Sequence, residues 1–192
     1  NKSVHNRSAA AMVGMCLGHP GLVRFGLEGL HKTVNNWFLP DGHTPESPAY
    51  AQMTLNGVKD AAQVYRGYSD PPGWRDASGQ RIDRYDPYHD PPFNYAAVWR
   101  ANYLTMQGDL KYPPLADSYV HTKMPAMFAE LMVANYPEHP EYLSLLAEIA
   151  GPELDRDIQP ATAIYYREPG LEARVAEAPK LKLPDLCPPE LR

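Results

Sequence analysis

The stretch NNWFLPDGHTPESPAY, residues 35–50, sets Asp41, His43, Glu46 and Tyr50 within ten positions of one another. Asp41 and Glu46 could form the acid/base pair of a glycoside hydrolase. Equally, Asp41-Gly42 reads as a turn and Glu46 as a solvated loop residue. Tyr50 starts the next helix, where it reads either as a packing aromatic or as a phenol doing acid/base work. A free phenol has a pKa of about 10, so a tyrosine working at neutral pH needs cations nearby. Arg7, His5 and His43 are the candidates. The run His5-Asn6-Arg7 could clamp a carboxylate through its donors. It could also be the capping region of the helix after it, with Asn6 or Ser8 as N-cap. Asp117 in PLADS, with His121 four residues on, either caps a helix or faces the same rim. Asp86, His89 and Asp90 in YDPYHDPP are spaced for no common metal site. No metal and no cofactor is implied.

The elements that must position these groups read as helices. Residues 8–18, SAAAMVGMCLG, form a helix of small apolar residues stopped by Gly18 and Pro20-Gly21. In 22–38, Val23, Leu27, Leu30, Val34 and Trp37 repeat at helical spacing. Residues 49–68 are expected to be helical, with Tyr50, Met53, Val58, Ala61, Val64, Tyr65 and Tyr68 inward. Further helices are expected at 94–106, 123–135 and 140–150. ATAIYYR, residues 161–167, reads as a short helix or an extended piece. Residues 69–92 and 108–118 are long loops, and loops longer than about 12–15 residues are often functional. No alternating strand pattern of any length is present. The fold class expected is all-α, with antiparallel helix pairs whose long loops share one rim.

Composition narrows the function classes. With 44% apolar and 21% charged residues, the 192-residue chain reads as globular. Lys and Arg number 18 against 23 Asp and Glu, which leaves no basic footprint of a nucleic-acid binder. The 21 prolines cluster between apolar stretches and read as ordered connectors between helices. The 13 tyrosines suit carbohydrate surfaces as well as ordinary cores. Nothing approaches the roughly 20 apolar residues of a membrane span. Cys16 and Cys187 are expected to be unpaired thiols, although a disulfide is open to them. Neither end of the chain reads as a natural terminus, and an internal piece of a longer protein is expected.

Taken in order, His5-Asn6-Arg7, TVNNWFLPDGHTPESPAY, LKYPPLADS and LPDLCPPELR resemble the heparinase II/III-like polysaccharide lyases and related alginate lyases. The resemblance covers most of the chain as an order of elements. It implies the C-terminal half of an incomplete (α/α) toroid over 1–168, followed by an extended linker, 169–192, toward a β-sandwich. The implied chemistry is β-elimination on a uronate-containing anionic polysaccharide, the expected partner, of alginate or glycosaminoglycan type. Tyr50 is then the general acid and a candidate base, while Asn6 and His5 neutralise the substrate carboxylate. Arg7, Trp37, His43 and Glu46 are expected to bind substrate. In that family a second catalytic histidine comes from the sandwich, so this stretch alone is expected to be inactive. Location in the periplasm or outside the cell is implied in the same way. Two other functions remain open from the residues: a hydrolase using Asp41, Glu46 or Asp117, and a non-catalytic helical domain that binds glycans or partners.

Overall fold

The structure, a computed structural model, describes residues 2–90, 94–151, 154 and 167–182. Among them are seven helices and no strands: α1 (Lys2–Cys16), α2 (Pro20–Trp37), α3 (Pro48–Tyr65), α4 (Tyr95–Leu104), α5 (Ala126–Asn135), α6 (Glu141–Ala150) and α7 (Leu171–Ala176). The only ladder-like pairings among the described residues are isolated bridges, Tyr68 with Tyr85 and Lys111 with Lys123. No helix among them is long and apolar enough to cross a membrane. ATAIYYR, apart from Arg167, and LPDLCPPELR lie outside the described residues, so the pairing of Cys16 with Cys187 does too.

The chain forms two compact units. The first comprises residues 1–105 and 113–119, the second 106–112 and 120–192. In the first, α1 and α2 form a helical hairpin. Gly18 at φ 62° turns the chain, His19 accepts from the Leu22 N–H at 3.2 Å, and Pro20 sits in the first turn of α2, where its missing N–H costs nothing. The two helices approach closely at Gly26, where an added Cβ would collide with Ala11, the Arg7 carbonyl and the Tyr65 hydroxyl. Tyr65 of α3 closes this corner by donating to the Val23 carbonyl at 3.1 Å. The core between helices is Ala11, Val23, Leu27, Leu30, Leu55, Val58 and Tyr65, with Tyr95 and Trp99 from α4 also buried in this unit.

One boundary and one buried face differ from the sequence expectation. The helix expected at 8–18 begins by Lys2, so His5, Asn6 and Arg7 lie inside α1 and cannot be its caps. Local capping signals lost here to packing, because α1 rests along both α2 and α3. The inward side of α3 also differs. Val58, Ala61 and Tyr65 are buried, but Met53 and Val64 are 47% and 39% exposed.

The loop expected at 69–92 is ordered from 69 to 90 by polar side chains. The Asp70 carboxylate, 1% exposed as a residue, accepts from Arg24 Nη2 at 2.6 Å, the Ile82 N–H at 2.6 Å and the Tyr68 hydroxyl at 3.0 Å. Asp76 accepts from Arg24 Nη1 at 3.1 Å, and the Arg24 guanidinium lies 5.2 Å from the Trp74 ring centre. Asp86, His89 and Asp90 are tied into a turn of their own. His89 Nδ1 lies 2.9 Å from Asp86 Oδ2, and Asp90 Oδ2 accepts the Asp86 N–H at 2.6 Å.

Buried phenols give this unit an alkaline limit. Burial holds the Tyr65 and Tyr85 hydroxyls well above the usual phenol range. Tyr68 is pushed up to about 12 by burial and by its bond to Asp70. In the unfolded chain these phenols ionise near pH 10. As pH rises past that value the unfolded state loses protons first, so stability that is complete below it drains away on the way to the folded values. The denaturation midpoint is expected to hold steady up to about pH 9 and fall steeply above about pH 10. Replacing Tyr65 and Tyr68 by Phe should flatten that fall.

In the second unit, α5 and α6 form a hairpin around residues 136–140, and α7 packs on α6. Leu131, Met132, Leu145 and Leu146 form its centre, with Leu171 and Val175 of α7 also buried. The stretch expected as a linker from 169 therefore opens with a docked helix. Glu130, fully buried, accepts from Arg167 Nε at 3.0 Å, and Arg167 also reaches Glu172 at 3.2 Å.

Candidate functional site

The N-terminus of α3 is where the chemistry-bearing residues are best held. Ser47 is its N-cap, fully buried, and accepts the Tyr50 N–H at 3.3 Å. Pro48 follows in the first turn and has no N–H to satisfy. The Ala49 N–H donates to the Ser118 hydroxyl at 2.9 Å, which ties the PLADS loop to the helix start. That loop turns through Ala116 at φ 47°, a left-handed conformation uncommon for a residue with a Cβ. It is closed by Ser118 N–H donating to the Leu115 carbonyl at 3.0 Å.

These contacts frame an open cavity of about 590 Å³. Tyr50 and Met53 of α3 line one side, and Ala116, Asp117, Ser118 and Tyr119 line the other, with Ala49 between. Tyr50 is half-buried and Tyr119 is 69% exposed. Tyr119 went unnoticed in the sequence, and Ser118 was marked only as part of LKYPPLADS, because a loop has no periodicity to mark which side chains share a wall. The only available signal was their position directly after Asp117.

His5 approaches the same helix further along. Tyr50, Met53 and Gly57 are three and four residues apart, which puts them on one stripe of α3. The His5 imidazole lies over Gly57, with Nε2 2.8 Å from where a Cβ would stand. Seven residues at 1.5 Å each separate Tyr50 from Gly57 by about 10 Å along the axis. Asn6 follows His5 on α1 and is exposed, and neither of them lines the cavity.

The other expected site residues stand elsewhere. Arg7 packs on α2: its stem fills the space left by Gly29, and its guanidinium lies 4.5 Å from the Phe25 ring centre. Its Nη1 is buried with no hydrogen-bond partner. Trp37 ends α2 and is half-buried. His43 and Glu46 are exposed in the 38–47 loop, and neither they, Arg7 nor Trp37 line the cavity. Asp41 accepts the His43 N–H at 3.0 Å, and this bond holds its exposed carboxyl below the usual range. The loop is pinned by Gly42, at φ 88° against the Ala97 carbonyl, and by Asn94 Nδ2 donating to the Pro40 carbonyl at 2.6 Å. Of the carboxylates weighed for hydrolysis, only Asp117 lines the cavity.

Gly57 offers a test that separates stability from positioning. Gly57→Ala should raise helix propensity by about 0.8–1 kcal/mol, while its Cβ displaces the imidazole of His5. The expected result is an unchanged or higher melting temperature with a displaced His5 imidazole, read from its NMR signals. An unmoved ring would mean that α1 and α3 give way instead.

Comparison with known protein families, with characterised proteins and with solved structures yields no match for this chain.

Proposed function

We propose that the chain is the helical toroid part of a polysaccharide lyase that cleaves uronate-containing chains by β-elimination. The observation that carries this reading is Tyr50, half-buried in the wall of an open cavity, with the His5 ring on the same face of α3. A phenol in a sugar-sized cavity, with a donor some way along, suits a reaction that protonates a leaving oxygen and quiets a neighbouring carboxylate.

In the proposed reaction the C5 proton, next to the carboxylate, is removed. The C5–H electron pair becomes the C4–C5 double bond, and the C4–O bond breaks toward the leaving sugar. Tyr50 gives its proton to that oxygen as general acid. Among the described residues no cation lines the cavity to hold Tyr50 as a phenolate, so the C5 proton passes to a separate base, in this proposal the second histidine that the resembled family supplies from its sandwich. Charge grows on the carboxylate as the proton leaves, and His5 and Asn6 are the donors that would stabilise it. Secretion or export to the periplasm belongs to the same proposal.

Isotope labelling tests the reaction type. Cleavage in ¹⁸O water, stopped before the anomeric oxygen exchanges with solvent, should leave no label in the products, because elimination adds no water. Label at the new reducing ends would favour a hydrolase, with Asp117 as its cavity carboxylate. Binding without cleavage would favour a glycan-binding domain, which the phenols around the cavity could also serve.

A further inference from the structure

Charge is distributed unevenly around the Tyr50 cavity. Among the described residues, Asp117 is the one carboxylate that lines it, and no Lys, Arg or His does. Tyr50, Ser118 and Tyr119 bring hydroxyls, and Met53 brings an apolar face. Asp117 is exposed, and the backbone on either side of it is fixed: Ala116 is turned through φ 47°, and Ser118 is bonded to the start of α3. The His5 ring lies over Gly57, about 10 Å from Tyr50 along the axis of α3.

An ionised carboxylate only accepts hydrogen bonds. A sugar ring lying against Asp117 and the exposed Tyr119 is therefore welcome if it offers hydroxyl groups. It is repelled if it brings a second carboxylate or a sulfate. On the reading of this cavity as a lyase site, we infer that it takes polymers in which uronate alternates with an uncharged, hydroxyl-bearing sugar. The uronate carboxylate lies toward His5, the uncharged ring lies against Asp117, and Asp117 is the specificity-determining residue. A polymer with a carboxylate on every ring, or with sulfate on the intervening ring, places like charge against Asp117.

The test uses the full-length protein and three probes. Hyaluronan alternates uronate with an uncharged sugar, alginate carries uronate on every ring, and chondroitin sulfate alternates but is sulfated. Formation of the C4–C5 double bond is followed by its ultraviolet absorbance, and binding of oligosaccharides of each by calorimetry. Hyaluronan is expected to be preferred by about threefold to tenfold, because like-charge repulsion at an exposed carboxylate is screened by solvent. Asp117→Asn, which keeps a hydrogen-bonding side chain without the charge, should shrink that ratio toward one. Preference for alginate or chondroitin sulfate, or a ratio untouched by Asp117→Asn, would overturn the inference while leaving elimination intact. Selective binding of hyaluronan without any double bond would remove the lyase reading and keep the specificity. Neither binding nor cleavage of any probe would overturn both.

Discussion

Tyr50→Phe is expected to lower turnover by about 10²–10⁴-fold, the usual weight of a positioned general acid or base. The substitution keeps the ring that lines the cavity and removes only the hydroxyl. The backbone around it is held by Ser47 and Ser118 and does not depend on that hydroxyl. Melting temperature and substrate affinity should therefore change little while the rate collapses. Steady-state kinetics beside a thermal melt checks this. A variant that keeps more than half of the wild-type rate would exclude Tyr50 as the acid.

The second large effect is structural. Asp70→Ala is expected to destabilise the first unit by about 3–5 kcal/mol. The carboxylate is buried and holds Arg24, the Ile82 N–H and the Tyr68 hydroxyl together. Removing it leaves the Arg24 guanidinium, whose side chain is 23% exposed, with Asp76, the Gln80 carbonyl and the Trp74 ring as partners. The Ile82 N–H loses its acceptor as well. Urea denaturation should show a lower midpoint with little change in slope. A loss below about 1 kcal/mol would place the pair among weak surface bridges and would mean that the 69–90 loop is ordered by something else.

Helices with strong start and stop chemistry were legible in the sequence. The starts expected at 22 and 49 lie within two residues of the observed Pro20 and Pro48, but the end expected at 68 falls three residues earlier, at Tyr65. The beginning of α1 was not legible, because His5-Asn6-Arg7 resembles a cap and only contact with Gly57 and Gly29 makes it helical packing surface. The six-residue α7 was missed for a related reason. It buries Leu171 and Val175, one turn apart, inside a stretch whose prolines and charges read as linker. Periodicity named apolar residues of α3 but could not say which of its sides met the core, so Met53 turned out to line the cavity. Tyr50 and Asp117 could be picked out as chemistry-bearing residues. Their meeting across one cavity depended on the Ser118 contact, which spans 69 positions.

The most direct test of the central claim is the ultraviolet absorbance of the conjugated C4–C5 double bond. The full-length protein and its Tyr50→Phe variant would be followed side by side on uronate polymers. The account predicts a steady rise with the wild type and almost none with the variant. New chain ends formed without that absorbance, or an equal rise from both proteins, would contradict it.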